Sequence, residues 1–220
     1  MRPVIIAIDG PSGAGKGTVA RAIAEQLNCR HIDTGAMYRA VAWKTLHDGV
    51  PLDDETEVTR VAEQAAFDLD GRQVRIDSHD ITEAIRTGEI DAAAATVARM
   101  PRVREVLVAR QREYRHAGSL VMEGRDIGTV VFPDANVKIF LDASREERAQ
   151  RRAKDPAHAL SKTAAVADVA DALDARDRQD RTRTASPLVM APDATLVDTT
   201  GVPIDEVVRR VLELVRAKLR

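Results

Sequence analysis

Apolar residues near the start of the chain occur first as a short continuous run and then with helical spacing. The run covers residues 4–8 and leads directly into a glycine-rich stretch. A run of this length is typical of a strand that is buried on both faces of a parallel sheet. Over residues 16–27 the apolar positions recur every three or four residues, which predicts a helix. Similar spacing predicts helices after Thr34 and over residues 54–66.

The pattern changes after residue 66, where apolar and polar residues alternate. Residues 67–77 contain the pair Asp70-Gly71, a combination that predicts a β-hairpin. Beyond the hairpin, strands alternate with helices again. Strands are predicted at residues 120–122, 137–141 and 196–197, helices at 89–98, 102–116, 144–153, 163–183 and 204–219, and a loop at 154–162.

This alternation predicts an α/β fold, in which a central parallel sheet carries helices on both faces. We interpret residues 1–220 as a single domain, whose core comprises about residues 1–60 and 100–220. The hairpin region, about residues 61–99, is predicted to be a small inserted subdomain. About residues 148–180 are predicted to form a lid.

The composition is that of an ordinary globular protein and excludes several other classes. The 220 residues are 44% hydrophobic and 31% charged, with a formal net charge of -2. With so little net charge and only 3% aromatic residues, the chain does not fit a protein that binds nucleic-acid polymers. No apolar run reaches the length of a signal or membrane segment, and Cys29 is the one cysteine. We predict a cytoplasmic monomer.

The glycine-rich stretch after the first strand fits a phosphate-binding loop that opens a helix. Glycines let the backbone curl so that its N–H groups point at phosphate oxygens, and the helix N-terminus adds a favourable field. Lys16 is expected to reach the β- and γ-phosphates of ATP. The predicted ATP-binding residues are Gly10, Pro11, Ser12, Gly13, Ala14, Gly15, Lys16, Gly17 and Thr18.

The residue after Lys16 distinguishes this loop from those of many other nucleotide-binding proteins. A Ser or Thr that touches Mg²⁺ usually stands there, whereas this chain has Gly17 and places its hydroxyl one residue later, at Thr18. We therefore expect the Mg²⁺ that accompanies ATP to be held largely through water, and we assign no side chain as a direct metal ligand. The Gly-Lys-Gly-Thr form resembles nucleoside monophosphate kinases more than GTPases.

Two further segments place possible anion-binding side chains near strand ends. Thr34 is a candidate N-cap for the second helix, and Arg39 lies little more than a turn inside it, so the two can form an anion pocket. The alternative is a plain cap beside a solvated arginine. Arg125 and Asp126 lie between two glycines that suggest a tight turn at a strand's carboxyl end, where open α/β sheets bind ligands. Their alternative role is a structural ion pair.

Arginine is concentrated on two predicted helices in the second half of the chain. Such charge runs usually form solvated faces, but phosphoryl transfer needs guanidinium groups around the transferred group. Arginines on two helices that flank a loop would suit a lid. With Lys16, we predict Arg148, Arg152 and Arg183 as catalytic side chains. The arginines of the two helices are Arg145, Arg148, Arg151 and Arg152, and Arg176, Arg178, Arg181 and Arg183.

Taken together, these segments resemble bacterial-type cytidylate kinases over essentially the whole chain. The most particular strings are Gly-Arg-Asp-Ile-Gly-Thr-Val at residues 124–130 and Arg-Asp-Arg-Gln-Asp-Arg-Thr-Arg at residues 176–183. Residues 33–39, 101–104 and 138–142 match as well. The resemblance implies a phosphate-loop kinase fold with an acceptor-binding insertion and a lid. It also implies transfer of the γ-phosphoryl group of ATP to CMP or dCMP, in pyrimidine nucleotide metabolism.

The resemblance further implies which side chains bind CMP. They are Thr34 at the nucleotide, Arg39, Arg125 and Arg183 at the phosphate, Arg104 and Asp126 at the base, and Arg176 and Asp180 at the sugar. The base assignment agrees with the chemistry of cytosine. A carboxylate can accept from its N4 amino group and a guanidinium can donate to N3 and O2, whereas uracil would present a carbonyl to the carboxylate.

The chain departs from the family where the family usually has Asn-Ala-Ala-Ser ahead of residues 101–104. Ala92 and Ala95 stand at the polar positions, and Thr96 can supply a hydroxyl only with a register shift. The preference between CMP and dCMP therefore stays open.

Two other functions are compatible with a phosphate loop. A related kinase would phosphorylate AMP, UMP or a small-molecule hydroxyl on the same framework. A nucleotide-gated binding protein would use the lid to recruit a partner, and would need few arginines around the nucleotide. The arginine content favours an enzyme.

Overall fold

The computed structural model of the protein describes residues 3–70, 73–155 and 166–219. The strands of these residues are β1 (Ile5–Asp9), β2 (Arg30–Asp33), β3 (Phe67–Asp70), β4 (Gln73–Ile76), β5 (His79–Asp80), β6 (Leu120–Gly124), β7 (Val137–Asp142) and β8 (Thr195–Asp198). Within the described ranges, five of the strands form a parallel sheet in the order β2-β6-β1-β7-β8.

The helices cover both faces of this sheet. They are α1 (Lys16–Leu27), α2 (Thr34–His47), α3 (Glu55–Gln64), α4 (Gly88–Val97), α5 (Pro101–Glu113), α6 (Arg145–Lys154), α7 (Val166–Thr182) and α8 (Ile204–Lys218). None of the helices in the described residues is both long and apolar enough to cross a membrane.

The central position of β1 follows from its side chains, all of which are buried. Ile5 and Ala7 lie in a core shared with α2 and α5, whereas Ile6 and Ile8 lie in a second core shared with α1 and α8. Because alternate side chains of a strand point to opposite faces, a continuous apolar run suits a sheet that is covered on both sides. The predicted α/β fold with a central parallel sheet is confirmed.

The predicted hairpin is also present, as part of a small antiparallel sheet. β3 pairs with β4, and β4 pairs with the short β5; of the predicted turn, Gly71 lies outside the described residues. Leu69, Ile76 and Ile81 belong to the same continuous core as α2 and α5. This region therefore shares a core with the main sheet, and its treatment as a separate insertion stays a prediction.

The hydrophobic pattern gives no sign of β2, which the sequence analysis does not predict. This strand lies at an edge of the sheet, beside β6. Of its four residues only Ile32 is buried, and Arg30 is exposed. An edge strand that buries one side chain produces neither a continuous run nor a clear alternation.

The two arginine-rich helices pack against each other through a small apolar cluster. The cluster consists of Ala149 on α6 and of Val169, Ala170 and Leu173 on α7. The helices agree with those predicted over residues 144–153 and 163–183, within the described part of each. Residues 156–162 of the predicted loop and residues 163–165 of the second helix lie outside the described ranges.

The packing of Gly10 against β7 yields a test of the fold. Gly10 has a φ of +148°, and a Cβ on it would lie 2.0 Å from the carbonyl oxygen of Leu141. We expect Gly10→Ala to lower the free energy of unfolding by about 1–3 kcal/mol for a backbone conformation that is restricted to glycine, plus about 1–3 kcal/mol for overpacking.

Gly49→Ala is the matched control, since Gly49 has a φ of +70° but open space around the added Cβ. It should cost the strain alone, about 1–2 kcal/mol. The free energy of unfolding of both variants can be measured in urea. Equal losses of unfolding free energy in the two variants would show that Gly10 does not pack closely against Leu141 of β7.

Candidate active site

A cavity of about 760 Å³ opens at the carboxyl ends of β1, β2 and β6, the edge at which open α/β sheets bind ligands. One end is lined by the glycine-rich loop. The other end is lined by polar and charged side chains from several separate parts of the chain. The predicted site residues among its lining are Lys16, Thr34, Arg39, Arg104, Arg125, Asp126, Arg152, Arg176, Asp180 and Arg183, together with residues 12–15, 17 and 18 of the loop.

The loop has the left-handed turns that its glycines permit. Gly13 and Gly15 have φ values of +79° and +88°, and Gly15 directly precedes the first residue of α1. The Lys16 side chain is folded back, with Nζ donating to the carbonyl oxygen of Pro11 over 2.7 Å. The chain thus presents a helix N-terminus and an ammonium group at one end of the cavity, as anion binding requires.

Burial has a large effect on Lys16. The pKa of the ammonium group is lowered to about 7, first by burial and then by the nearby charge of Arg125. The carboxylates of Glu123, Asp177 and Asp9 act in the opposite direction. A phosphate group beside Lys16 would favour the protonated form, so binding of a polyanion and protonation of Lys16 must be linked.

The tip of the loop is fixed from behind by α6 and α7. The Ser12 amide donates to Asp177 over 3.0 Å, and Arg148 donates to the Ser12 carbonyl oxygen over 3.0 Å. Arg148 and Asp177 also form an ion pair with each other. Arg148 is buried, donates further to the Ala143 carbonyl oxygen, and is not part of the described cavity lining. These contacts hold the phosphate loop in place. Arg148 was predicted to be a catalytic side chain, but it does not face the described cavity.

The start of α2 corrects the prediction that Thr34 is its N-cap. The cap is Asp33, whose carboxylate accepts from the Ala36 amide over 3.0 Å. Asp33 also accepts from Arg39 over 2.9 Å. Thr34 is the first helical residue, and its hydroxyl donates to the Glu123 carbonyl oxygen over 2.7 Å. Asp is at least as good a cap as Thr, which leaves Thr34 free to join α2 to the end of β6.

The two glycines around Arg125 and Asp126 do not form the tight turn that the sequence suggested. Residues Ile127–Val131 form a π-helical turn, whose first amides are capped by Asp9 at the end of β1. A Cβ on Gly124 would meet the Thr34 hydroxyl at 2.7 Å, and one on Gly128 would meet the Lys138 side chain at 3.1 Å. A side chain at Gly124 would therefore clash, and one at Gly128 would require Lys138 to shift.

The capping by Asp9 links β1 to this turn. Each of its two carboxylate oxygens accepts an amide, that of Ile127 or Gly128, over 2.8 Å. Burial raises the pKa of Asp9 to about 6, although both amide bonds and the charge of Lys16 lower it. The strand that carries the phosphate loop and the segment that carries Arg125 and Asp126 are thereby held together.

Arg125 and Asp126 are adjacent in sequence but pair with different partners. Asp126 accepts from Arg104 on α5 over 2.5 Å, and Arg104 also donates to the Ala98 carbonyl oxygen over 3.2 Å. The Arg104 guanidinium lies 5.3 Å from the centre of the Tyr38 ring, at a distance suited to a cation–π contact. Arg104 and Asp126 are both buried. The alternative of an Arg125–Asp126 pair is thus wrong.

Asp180 on α7 holds two arginines at the same end of the cavity. It accepts from Arg125 over 2.9 Å and from Arg183 over 3.2 Å. Arg183 also donates to the Ser186 carbonyl oxygen over 2.7 Å. Arg176, by contrast, lies 3.5 Å from Asp91.

Some buried donors at this end have no protein acceptor. Among the described residues, Arg183 Nη2 and the Tyr38 hydroxyl are buried without a hydrogen-bond partner. Burial raises the pKa of Tyr38 to about 12, against the opposing effect of Arg104, so the hydroxyl keeps its proton. Buried polar groups are rarely left unpaired, so these two donors are an exception at this end of the cavity.

The alanines of α4 keep their predicted positions without supplying a hydroxyl. Ala95 lines the cavity and Ala92 is exposed. The Thr96 side chain is exposed, and its hydroxyl donates back to the Ala92 carbonyl oxygen over 3.3 Å. A register shift that would bring Thr96 into the cavity does not occur.

Sequence reasoning missed several carboxylates that organise the site. Asp9 is the last residue of β1 and Glu123 the next-to-last residue of β6. This position could have identified them, since the carboxyl ends of parallel strands meet at one edge. Glu123 is held by His31 over 3.0 Å. Asp177 and Asp91 gave no such sign, because their arginine partners are distant in sequence.

A central parallel strand that runs into a glycine-rich loop and then into a helix that begins with lysine defines a class, the phosphate-loop kinases. Solved structures of this fold are similar over the whole chain. A gluconokinase from Sinorhizobium meliloti 1021 has a TM-score of 0.51 at 16% identity and covers 99% of this chain and 94% of its own. A sugar kinase from Janibacter sp. HTCC2649 has a TM-score of 0.50 at 15% identity, with 97% and 95% covered. At these identities the likeness shows the fold alone.

Sequence comparison identifies the family. The family model described as cytidylate kinase matches residues 6–217. A cytidylate kinase of Desulfitobacterium hafniense (strain Y51) is 49% identical over 217 residues, which cover 97% of this chain and 93% of that protein. One of Pelotomaculum thermopropionicum is 47% identical, with 98% and 97% covered. The chain belongs to the cytidylate kinase family.

The lowered pKa of Lys16 predicts that ATP binding takes up a proton. At pH 8.5 the side chain, with a pKa of about 7, is mostly neutral in the free protein. Bound phosphates favour the charged form, so uptake of about one proton per ATP is expected, and affinity should fall as the pH rises above 7. Calorimetric titration in two buffers of different ionisation enthalpy measures the uptake.

Lys16→Arg is the matched control, because an arginine stays protonated throughout this pH range. It should bind ATP without proton uptake. A wild-type protein that takes up no proton at pH 8.5, or a variant that takes up as much as the wild type, would contradict the assignment to Lys16.

Proposed function

We propose that the protein transfers the γ-phosphoryl group of ATP to CMP or dCMP, giving ADP and CDP or dCDP. Its membership in the cytidylate kinase family supports this activity. The structural observation that carries it is a continuous cavity that runs from the phosphate loop to a group of buried and partly buried arginines and aspartates. We further propose a cytoplasmic monomer that binds neither membranes nor nucleic-acid polymers, in line with its low net charge.

At the donor end, the proposed ATP site comprises residues 10–18. Loop amides, the start of α1 and Lys16 would hold the phosphates, and Arg152 would face the transferred group. The acceptor is already a phosphate oxygen, so no general base is needed. Catalysis is then positioning together with electrostatic stabilisation of the charge on the transferred group. Arg148 contributes by holding Ser12 and Asp177 in place.

At the acceptor end, Arg39, Arg125 and Arg183 would bind the CMP phosphate. Arg125 and Arg183 are fixed by Asp180 before any nucleotide arrives. Arg183 Nη2 has no hydrogen-bond partner among the described residues and lies 3.9 Å from Asp126 Oδ1. Because these guanidinium groups are already in position, little conformational free energy is lost when the phosphate binds.

Arg104 and Asp126 would read the base. Their mutual contact fixes both side chains, so Asp126 can accept from the N4 amino group of cytosine while Arg104 donates to the neighbouring acceptors. Uracil would place a carbonyl against Asp126 and leave buried groups unpaired. Arg176 and Asp180 would face the sugar, with Thr34 beside the nucleotide.

The residues beside Lys16 also fit a magnesium–nucleotide complex. The Thr18 hydroxyl and the Glu123 carboxylate line the cavity there, and oxygen donors of this kind, with water, are what Mg²⁺ prefers. Asp9 is less suited, because both of its oxygens accept amides. When bound, the ion would offset phosphate charge.

The direct experiment is an ADP-release assay with CMP, dCMP, UMP, AMP and GMP as acceptors. We expect ADP only when a monophosphate is added, with CMP and dCMP preferred over UMP by about 10²-fold or more, since a site that leaves buried groups unpaired rejects an analogue strongly. Preference for AMP or UMP would indicate a related kinase. ATP binding without any acceptor-dependent turnover would indicate a nucleotide-gated binding protein.

The role of Asp126 predicts a selective defect. Asp126→Asn keeps the shape of the side chain but removes its charge, so the N4 amino group loses a charged acceptor, whose hydrogen bond is worth about 1.5–3 kcal/mol, and meets a neutral amide instead. The Michaelis constant for CMP should rise about 10–100-fold, with that for ATP little changed. Steady-state kinetics with each substrate varied in turn measures both.

Asp134→Asn is the control, since Asp134 forms an Asp–Arg pair with Arg115 at the surface, at 2.9 Å. It should behave like the wild type. Equal losses for CMP and ATP in Asp126→Asn, accompanied by a lower melting temperature, would mean that Asp126 serves only as a structural partner of Arg104.

A further inference from the structure

Asp91 lies at the start of α4, one helical turn before Ala95, and reaches two arginines of other helices. Its Oδ2 accepts from Arg152 Nη2 on α6, and its Oδ1 lies 3.5 Å from Arg176 Nη1 on α7. The side chain is only 15% exposed. One carboxylate therefore joins α4 to both arginine-rich helices.

The three side chains are arranged in two layers. Arg152 and Arg176 line the cavity, whereas Asp91 is outside the described lining and stands behind them. A guanidinium group has five N–H donors, so a contact with Asp91 leaves others to face the cavity. Asp91 is thus placed to orient both arginines without touching what they bind.

Electrostatics gives Asp91 a second role at this position. Burial, first of all, lowers the pKa of both arginines. The charge of Arg176 lowers the pKa of Arg152 further, the charge of Arg125 lowers that of Arg176, and the charge of Arg39 lowers both. The charge of Asp91 acts against this for both side chains. Without that carboxylate, two partly buried guanidinium groups would repel each other and turn toward solvent.

We propose that Asp91 is a positioning residue, which holds Arg152 toward the transferred phosphoryl group and Arg176 toward the acceptor nucleotide. This inference rests on the proposed function and extends it, because it names the residue that ties acceptor binding on α4 to the arginines of α6 and α7. The sequence alone does not predict this role for Asp91. The residue lies in the segment in which alanines replace the family's usual polar residues, and its arginine partners are distant in the sequence.

Asp91→Asn tests the proposal by removing the charge at nearly constant shape. We expect kcat to fall about tenfold or more, since misplacing a catalytic group by about 1 Å can cost 10²-fold. The Michaelis constant for CMP should rise as well, with that for ATP little changed. Asp91→Glu, which restores the charge, should recover part of kcat.

Glu89→Gln is the matched control. Glu89 lies in the same first turn of α4 and is exposed, so it shares the interaction with the helix dipole but has no place behind the cavity. It should retain wild-type kinetics. Comparable losses in Glu89→Gln and Asp91→Asn would assign the effect to the helix terminus and overturn the proposal.

A double-mutant cycle with Arg152→Met separates positioning from a general loss of stability. If Asp91 acts through Arg152, Arg152→Met should lower kcat strongly in the wild type and much less in Asp91→Asn. Unchanged kcat in Asp91→Asn, or fully additive losses in the cycle, would overturn the inference. If the wild type prefers another acceptor, the proposed substrate is wrong, and the same cycle run with that acceptor still decides the role of Asp91.

Discussion

The site depends on one electrostatic constraint, which is that guanidinium groups must be gathered around a cavity before a phosphate is there to attract them. Like charges repel most strongly where water is excluded. The structure meets this constraint by giving the arginines carboxylate partners: Arg104 has Asp126, Arg125 and Arg183 have Asp180, Arg39 has Asp33, and Arg152 and Arg176 have Asp91. The arginines can still bind phosphate through their remaining N–H groups, and each guanidinium group is held in a defined orientation.

These pairs also organise the fold around the site. The partners come from different elements, so Asp180 ties α7 to the end of β6, and Asp91 ties α4 to α6 and α7. On the donor side, Asp177 and Arg148 tie the phosphate loop to the same two helices. The two ends of the cavity are therefore connected through α6 and α7. This arrangement explains how a side chain outside the cavity, such as Asp91, can affect chemistry within it.

The sequence predicts the elements that carry strong local signals. The buried run of β1, the glycines of the phosphate loop and the apolar stripe of α8 each follow from short-range patterns, and all were found. The edge strand β2 was not, because it buries a single apolar side chain, Ile32. The residues that gather at the cavity could be proposed from motifs, but their partners could not. Arg125 pairs with Asp180, 55 residues away, and no local pattern encodes such a distance.

The central claim is that aspartate partners position the arginines of the cavity before nucleotide binds. The same arginine–aspartate pairs are expected to remain intact in the complex with nucleotide. A crystal structure with CMP and a non-hydrolysable ATP analogue bound tests this directly. The account predicts that Arg104 stays paired with Asp126 and Arg125 with Asp180, with the nucleotide meeting the remaining N–H groups. A complex in which these pairs are broken, and the guanidinium groups reach the nucleotide only after turning away from their aspartates, would contradict it.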